Sequence, residues 1–268
     1  MSNSKRFKQK LGTTNKKGRA ISPIGGMIIS SLSILFFWVA IRWWGDFPTF
    51  ILPSPLSVLY RFVDSVTSGQ LVFHFFVTLL EVILGLLLGS FAAIFLGYLV
   101  YKSKVLDRLL SPILVASQAI PVVAIAPLIV LWFGSGIWSK ILVCAIIVFF
   151  PILINTIIGL RSIPKELSYL LITLGAKPKQ VLRYLEIPSS LPIFLAGMRI
   201  GATLSVTGAI VGEFLGASQG LGFLINVARG QYDTALVFVV IFVLVFMAIG
   251  LYSIFDRIEK RVLRWKTD

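Results

Sequence analysis

An all-α, polytopic membrane protein with six transmembrane helices and both termini in the cytoplasm is the fold the sequence predicts, on three observations. Hydrophobic residues fill 57% of the 268 positions and charged ones only 13%, more apolar surface than a water-soluble domain of this length could hide. The apolar residues gather in six runs of about 20 or more, the length of helix that crosses a bilayer core. The formal charge of +14 comes from Lys and Arg in the termini and in alternate short connections. That is the distribution of cytoplasmic loops, and it argues against a nucleic-acid-binding face.

Taken in order, residues 1–23 are polar, basic and rich in Ser, Thr, Asn and Gly, with seven Lys or Arg among the first twenty. They read as a disordered cytoplasmic tail. The run from Ile24 to Trp44 is long and has no small-residue cleavage site, so it reads as an uncleaved span rather than a signal peptide. Phe47 to Leu59, with Pro48, Pro53 and Pro55, cannot continue a helix and forms an external loop leading to a short amphipathic stretch.

The later spans fall at 74–101, 109–133, 138–160, 190–215 and 234–255. Residues 24–255 make one transmembrane domain, and 256–268 form a basic cytoplasmic tail. Lys102, Lys104 and Arg108 follow the second span, Arg161, Lys165, Lys177, Lys179 and Arg183 follow the fourth, and Arg257, Lys260, Arg261, Arg264 and Lys266 follow the sixth. The alternate connections hold only Arg61, Lys140 and Arg229. An even number of spans and the charge rule thus agree on one topology. Trp38, Trp43, Trp44, Trp132 and Trp138 fall near external helix ends, as an aromatic belt does.

The loop from Arg161 to Pro188 carries more pattern than a linker requires. Pro164 suits a first helical turn and Glu166 the positive end of a helix dipole, while Leu167, Leu170, Leu171 and Leu174 recur at helical spacing. Gly175 stops that helix. Pro178 begins a second, with Val181, Leu182 and Leu185 as its apolar face, and Pro188 is expected to end it before the next span.

Gly175, followed after nine residues by Leu185-Glu186-Ile187-Pro188, resembles the cytoplasmic loop of permeases of binding-protein-dependent ABC importers, where Gly-x9-Ile-x-Leu-Pro follows Glu-Ala-Ala. Tyr169-Leu170-Leu171 stands here in place of Glu-Ala-Ala. The likeness extends to Leu52-Pro53-Ser54-Pro55, to the Pro-interrupted run from Ile120-Pro121 to Phe133-Gly134, and to Gly212-Glu213-Phe214-Leu215-Gly216-Ala217 with Gly220-Leu221-Gly222. These are similar to one subgroup, the taurine, aliphatic sulfonate and nitrate importers. Within it, the stretch from Ser117 to Pro127 looks most like permeases for thiamine-precursor pyrimidines or riboflavin.

The resemblance implies the permease of a type I importer in a bacterial inner membrane, moving a small solute. A vitamin or vitamin precursor is favoured over a sulfonate, taurine or nitrate-like anion. It implies a permease homodimer, two ABC ATPase subunits and an extracytoplasmic substrate-binding protein, with ATP and Mg held by the ATPase subunits and no cofactor on this chain. No Gly-x4-Gly-Lys-Ser/Thr loop occurs in the sequence, so ATP has no usual cradle here. It assigns Tyr169, Leu170, Leu171, Gly175, Ala176, Lys177, Leu185 and Pro188 to an ATPase-coupling loop.

For the translocation path the polar or helix-breaking candidates are Gln118, Pro121, Asn155, Arg199 and Glu213. Arg199, about ten residues into the fifth span, costs ~3 kcal/mol to insert and needs a partner, either Glu213 or a structural ion pair. Glu81 is expected at the outer interface facing solvent, with no role. Gly85 with Gly89, and Gly197 with Gly201, have the spacing of close helix packing. Two other functions compete. A secondary transporter would show related halves, and no such repeat is visible. An intramembrane hydrolase would use His74 with Ser or Asp partners, yet no catalytic spacing accompanies it. One His and one Cys, Cys144, leave zinc ligation of the usual kind without donors.

Overall fold

The computed structural model describes residues 23–119 and 122–264, and no strand occurs among the described residues. The expected disordered tail therefore lies, apart from Pro23, outside the described residues. Helix α1, Pro23–Gly45, forms a unit of its own with the residues up to Pro48. Its apolar length, Leu32–Gly45, ends in Trp43 and Trp44, at the predicted outer end.

The second unit begins at Thr49. The amphipathic stretch predicted after the proline-rich loop is α2, Pro55–Thr67, which Ser54 caps by accepting the Ser57 N–H at 3.0 Å. Its Arg61 reaches Asp233 at 2.7 Å. Asp233 in turn caps α11, Thr234–Val262, by accepting the Leu236 N–H, so the external helix is fastened to the head of the last span.

Three helices build the centre: α3, Gln70–Lys102, α6, Ile137–Arg161, and α9, Ile187–Phe214. Lipid offers no hydrophobic drive to bring helices together, so close contact has to come from shape. Small residues supply it. A Cβ on Gly89 would stand 2.5 Å from the Ala145 carbonyl oxygen, and one on Gly208 would stand 2.8 Å from the Cys144 Cα on the other side of α6. Gly201 faces Ile152 and Gly197 faces Asn155 in the same way. Both glycine pairs predicted to permit close packing do so, and α6 is gripped from two sides. Ala93, Val148, Ile152, Leu153 and Ala202 fill the intervening core and are fully buried.

Among the described residues, four helices are long and apolar enough to cross the membrane alone: α3, α6, α11 and the continuous run Pro178–Phe214. The first predicted span is α1. The third, expected as one helix over 109–133, is instead broken into α4, Lys104–Ala119, a 3-10 turn at Val122–Ala124, and α5, Ala126–Phe133. Pro127 sits in the first turn of α5, where a missing N–H leaves nothing unpaired. A further difference lies at Pro188. It does not end the short helix after Gly175, because α8, Pro178–Val181, runs through a π turn at Leu182–Glu186 directly into α9. In that turn the Ile187 N–H reaches back to Leu182 O, so the widened helix passes the proline without stopping. The sixth span also extends seven residues past its predicted end to Val262, and the short helix α10, Leu221–Gly230, was not expected.

The glycine grip yields a direct test. Gly89→Val should destabilise the folded chain by roughly 1–3 kcal/mol or prevent assembly, read as thermal unfolding in detergent. Gly250→Ala, at an α11 position with no atom within 4 Å of the added Cβ, should be neutral or stabilising by up to about 1 kcal/mol. Equal tolerance of both would contradict the packing.

Candidate functional site

Polar chemistry concentrates at the two ends of the α3–α6–α9 core. At the outer end Thr78 and His74 of α3 and Glu213 of α9 converge on the start of α10, and all three are buried. A helix N-terminus leaves its first N–H groups without intrahelical partners, and here three side chains receive them. His74 Nδ1 accepts the Gly220 N–H at 3.0 Å, Thr78 Oγ accepts the Leu221 N–H at 2.7 Å, and Glu213 Oε2 accepts the Gly222 N–H. The Thr78 hydroxyl donates to Glu213 Oε1 at 2.6 Å, closing the network. Gly220 has φ +107°, a conformation other residues rarely adopt, and a Cβ on Gly222 would lie 2.9 Å from that of Glu213. The Gly220-Leu221-Gly222 motif is thus the backbone that fits under Glu213.

The expectation that Glu81 faces solvent is overturned. Glu81 is fully buried next to Glu213, and Lys140, counted in the sequence among external loop residues, is buried in the first turn of α6 with Nζ 3.9 Å from Glu81 Oε1. The cause is the tight contact of α6 with both neighbours, which carries its outer turn into the bundle. Sequence reasoning also missed Thr78. A signal was present, since Leu71, His74, Thr78, Glu81, Gly85 and Gly89 recur at intervals of three and four and make one stripe of α3. His74, the candidate base of the hydrolase reading, has its Nδ1 occupied by the Gly220 N–H, a capping role in the α10 turn.

Arg199 does not pair with Glu213. It binds Asp256 at 3.2 Å and Glu259 at 3.1 Å on α11 and lies 5.5 Å over the Tyr252 ring. Fourteen residues of helix, about 21 Å, separate it from Glu213, so the structural ion pair is the arrangement observed. Asn155 donates to Pro151 O at 2.8 Å on its own helix and packs against Gly197. Gln118 belongs to α4, and Pro121 lies outside the described residues. Asn155, Arg199 and Glu213 therefore occupy three separate environments.

At the inner end the chain leaves α6 and forms α7, Lys165–Thr173, before the Gly175 turn. Gly175 has φ +80°, and the Ala176 N–H returns to Leu171 O at 3.0 Å, a left-handed helix stop that suits glycine. Lys177 begins the next turn, its N–H bonded to the Gln180 side chain at 2.7 Å. Leu160, Ile163, Val181 and Leu185 form the buried underside of this elbow, with Leu171, Ala176, Tyr98 and Tyr101 packed against it. Lys102 at the end of α3 binds the buried Glu186 at 2.6 Å, and Arg161 pairs with Asp107. The outward surface is apolar and uncovered: Leu167, Tyr169, Leu170, Ile172 and Leu174 are all exposed, Leu174 at 73%. Pro188 lies beyond the elbow, in the first turn of α9.

Residues 85–264 match the model of the family described as binding-protein-dependent transport system inner membrane component. The chain is 45% identical over 244 residues to the riboflavin transport system permease protein RibX of Chloroflexus aurantiacus, covering 91% of each. It is 41% identical to the formylaminopyrimidine transport permease protein ThiX of Halalkalibacterium halodurans, covering 81% of this chain and 86% of that one. To the putative aliphatic sulfonates transport permease protein SsuC of Bacillus subtilis it is 32% identical, covering 90% and 87%. An inward-facing structure of the MetNI methionine ABC transporter shares the fold with a TM-score of 0.63 at 22% identity, over 70% of this chain and 94% of that chain.

The capping network predicts that Thr78→Val, which keeps shape but removes both hydrogen bonds, destabilises the α10 turn by roughly 1–3 kcal/mol. Hydrogen exchange at the amides of 220–222 should accelerate in Thr78→Val and stay slow in Thr78→Ser. Unchanged exchange in the valine variant would remove Thr78 from the network.

Proposed function

The chain belongs to the family of binding-protein-dependent transport system inner membrane components, and from that membership we propose that it works as an importer permease coupled through the 161–188 elbow to separate ATPase subunits. It is a multi-pass inner-membrane transport protein. The observation that carries the coupling reading is the two-sided elbow. Its underside is fixed to α3 and α6 by apolar contacts and by the Lys102–Glu186 pair, while Tyr169, Leu170 and Leu174 present apolar side chains outward on the side that basic residues mark as cytoplasmic. A monomer gains nothing by exposing such a patch, and a docked partner explains it.

In this reading ATP and Mg are held by two ATPase subunits, and closure of that pair pushes on α7. Gly175 sets the angle at which the push enters Pro178–Phe214, one helix of 37 residues or about 55 Å. Its far end carries Glu213, which caps α10. Force applied in the cytoplasm thereby arrives at the outer clamp through a single rod. The path is assigned to Gln118, Pro121, Asn155, Arg199 and Glu213; of these, Arg199 fixes α9 to α11 and Glu213 sits at the outer gate. Residues 24–255 act as one permease domain between two basic tails, paired as a homodimer and supplied by an extracytoplasmic binding protein.

The carried solute is a vitamin or vitamin precursor, riboflavin or a thiamine-precursor pyrimidine. Support comes from the higher identity to the riboflavin and formylaminopyrimidine permeases, at 45% and 41%, than to the sulfonate permease at 32%.

The test is ATP hydrolysis in liposomes containing the chain and its co-purified ATPase, with a binding protein loaded in turn with riboflavin, formylaminopyrimidine, taurine or nitrate. A vitamin-loaded form should stimulate turnover, and stimulation by taurine or nitrate alone would redirect the substrate assignment. Gly175→Val, and a triple replacement of Tyr169, Leu170 and Leu174 by Ser, should abolish stimulation, the latter with loss of ATPase co-purification. Uptake without any ATPase would point to a secondary transporter.

A further inference from the structure

Two buried carboxyl groups at the outer end of the bundle share, among the described residues, a single nearby cation. Glu81 on α3 and Glu213 on α9 are both fully buried and interact directly. The ionisable groups that face them are few. Lys140 comes from α6, with Nζ 3.9 Å from Glu81 Oε1, the Cys144 thiol comes from the same helix, and His74 of α3 is engaged with the Gly220 N–H. The α10 helix presents only backbone amides at this end, its Arg229 lying at the other.

The two carboxyls are supplied unequally. Glu213 accepts hydrogen bonds from Thr78 and from the Gly222 N–H. Neither oxygen of Glu81 has a hydrogen-bond partner, and Lys140 at 3.9 Å is too distant to donate. Were both carboxyls ionised, the cluster would hold two negative charges against one positive in a fully buried site, and it would place two acceptor-only groups against each other. One proton removes both conflicts. It makes the cluster neutral and gives Glu81 an O–H to donate.

We propose that the Glu81–Glu213 pair binds one proton, carried by Glu81 and donated as a hydrogen bond to Glu213, and that this proton completes the clamp holding α10 on α3 and α9. The ionised member is Glu213, which already receives the Thr78 hydroxyl and the Gly222 amide. The proton enters from water as the clamp closes. When α10 separates from α3 and α9, the pair becomes wet, the O–H bond to Glu213 is replaced by bonds to water, and the proton leaves to solvent. Outer-end opening and proton release are then one linked event. Nothing in this proposal depends on the identity of the carried solute or on the ATPase.

Infrared spectroscopy of the full chain in lipid nanodiscs at neutral pH, with and without carboxyl-13C glutamate, tests it. The wild-type protein should show a carbonyl band of a protonated carboxylic acid that shifts on glutamate labelling. Glu166 is exposed, while Glu186 and Glu259 face Lys102 and Arg199, so they have no comparable reason to hold a proton. The band should vanish in Glu81→Gln. It should vanish as well in Glu213→Gln, where a single carboxylate beside Lys140 is already balanced, and that variant decides the matter if Glu81→Gln fails to assemble. Absence of the band in labelled wild-type protein, or its persistence in either variant, overturns the proposal. So does thermal stabilisation by sodium or potassium without the band, which would make the bound species a metal cation.

Discussion

The approach of α6 to its two neighbours is the constraint on which the rest of the molecule depends. Helices in lipid gain little from hydrophobicity when they associate, since the surrounding chains are as apolar as their own side chains. Glycines 85 and 89 on one side and 197, 201, 208 and 212 on the other let α3 and α9 come within reach of the α6 backbone, where dispersion contacts are dense. That closeness has an electrostatic consequence. Because a Cβ on Gly212 would stand 3.1 Å from the Lys140 Cα, Lys140 is carried into the bundle instead of lying in an external loop. Its charge is then available to Glu81, which would otherwise be a buried carboxyl with no cation near it.

The same close packing explains why the buried charged residues Glu81, Lys140, Glu186 and Glu213 sit at the ends of the core and not at its middle. Between Glu81 and Lys102 the buried face of α3 consists of Val82, Gly85, Leu86, Gly89, Ser90, Ala93, Gly97 and Val100, and Ser90 turns its hydroxyl back onto Leu86 O. A helix with such a face has no specific bond to break along most of its length. Orientation has to be set where charges occur, by Glu186 and Lys102 inside and by Glu81, Lys140 and Glu213 outside.

Features that depend on local composition were legible in the sequence. Apolar runs marked most of the long helices and Gly175 marked the turn of the elbow, because each requires only neighbours within a few residues. Features that depend on register were not. Arg199 meets Asp256 and Glu259 because α9 and α11 lie side by side at that height, and no spacing within α9 could reveal it. Pro188 looked like a helix stop because a proline removes an N–H; the π turn before it is a backbone adjustment that the residue types alone do not announce. The solvent-facing expectation for Glu81 fails for the same reason, since its burial is decided by glycines of α3 and α9 that close on α6. The stripe of α3 that holds it was visible, but a stripe of small and polar residues states only that something packs there.

Glu81 and Lys102 lie 21 residues apart on α3, about 32 Å of helix rise, which matches the roughly 30 Å of a bilayer core. Their partners Glu213 and Glu186 lie on the single rod formed by the π turn and α9. Two polar latches therefore join the same two elements, the Lys102–Glu186 ion pair at one face and the Glu81–Glu213 contact at the other, with a smooth small-residue contact between them. A rod fastened in this way cannot tilt against α3 without loading a latch, and a tilt that relieves one end strains the other. The geometry favours states in which one face is held while the other gives way. That property follows from where two helices place four ionisable residues, Glu81 and Lys102 on α3 and Glu186 and Glu213 on the rod.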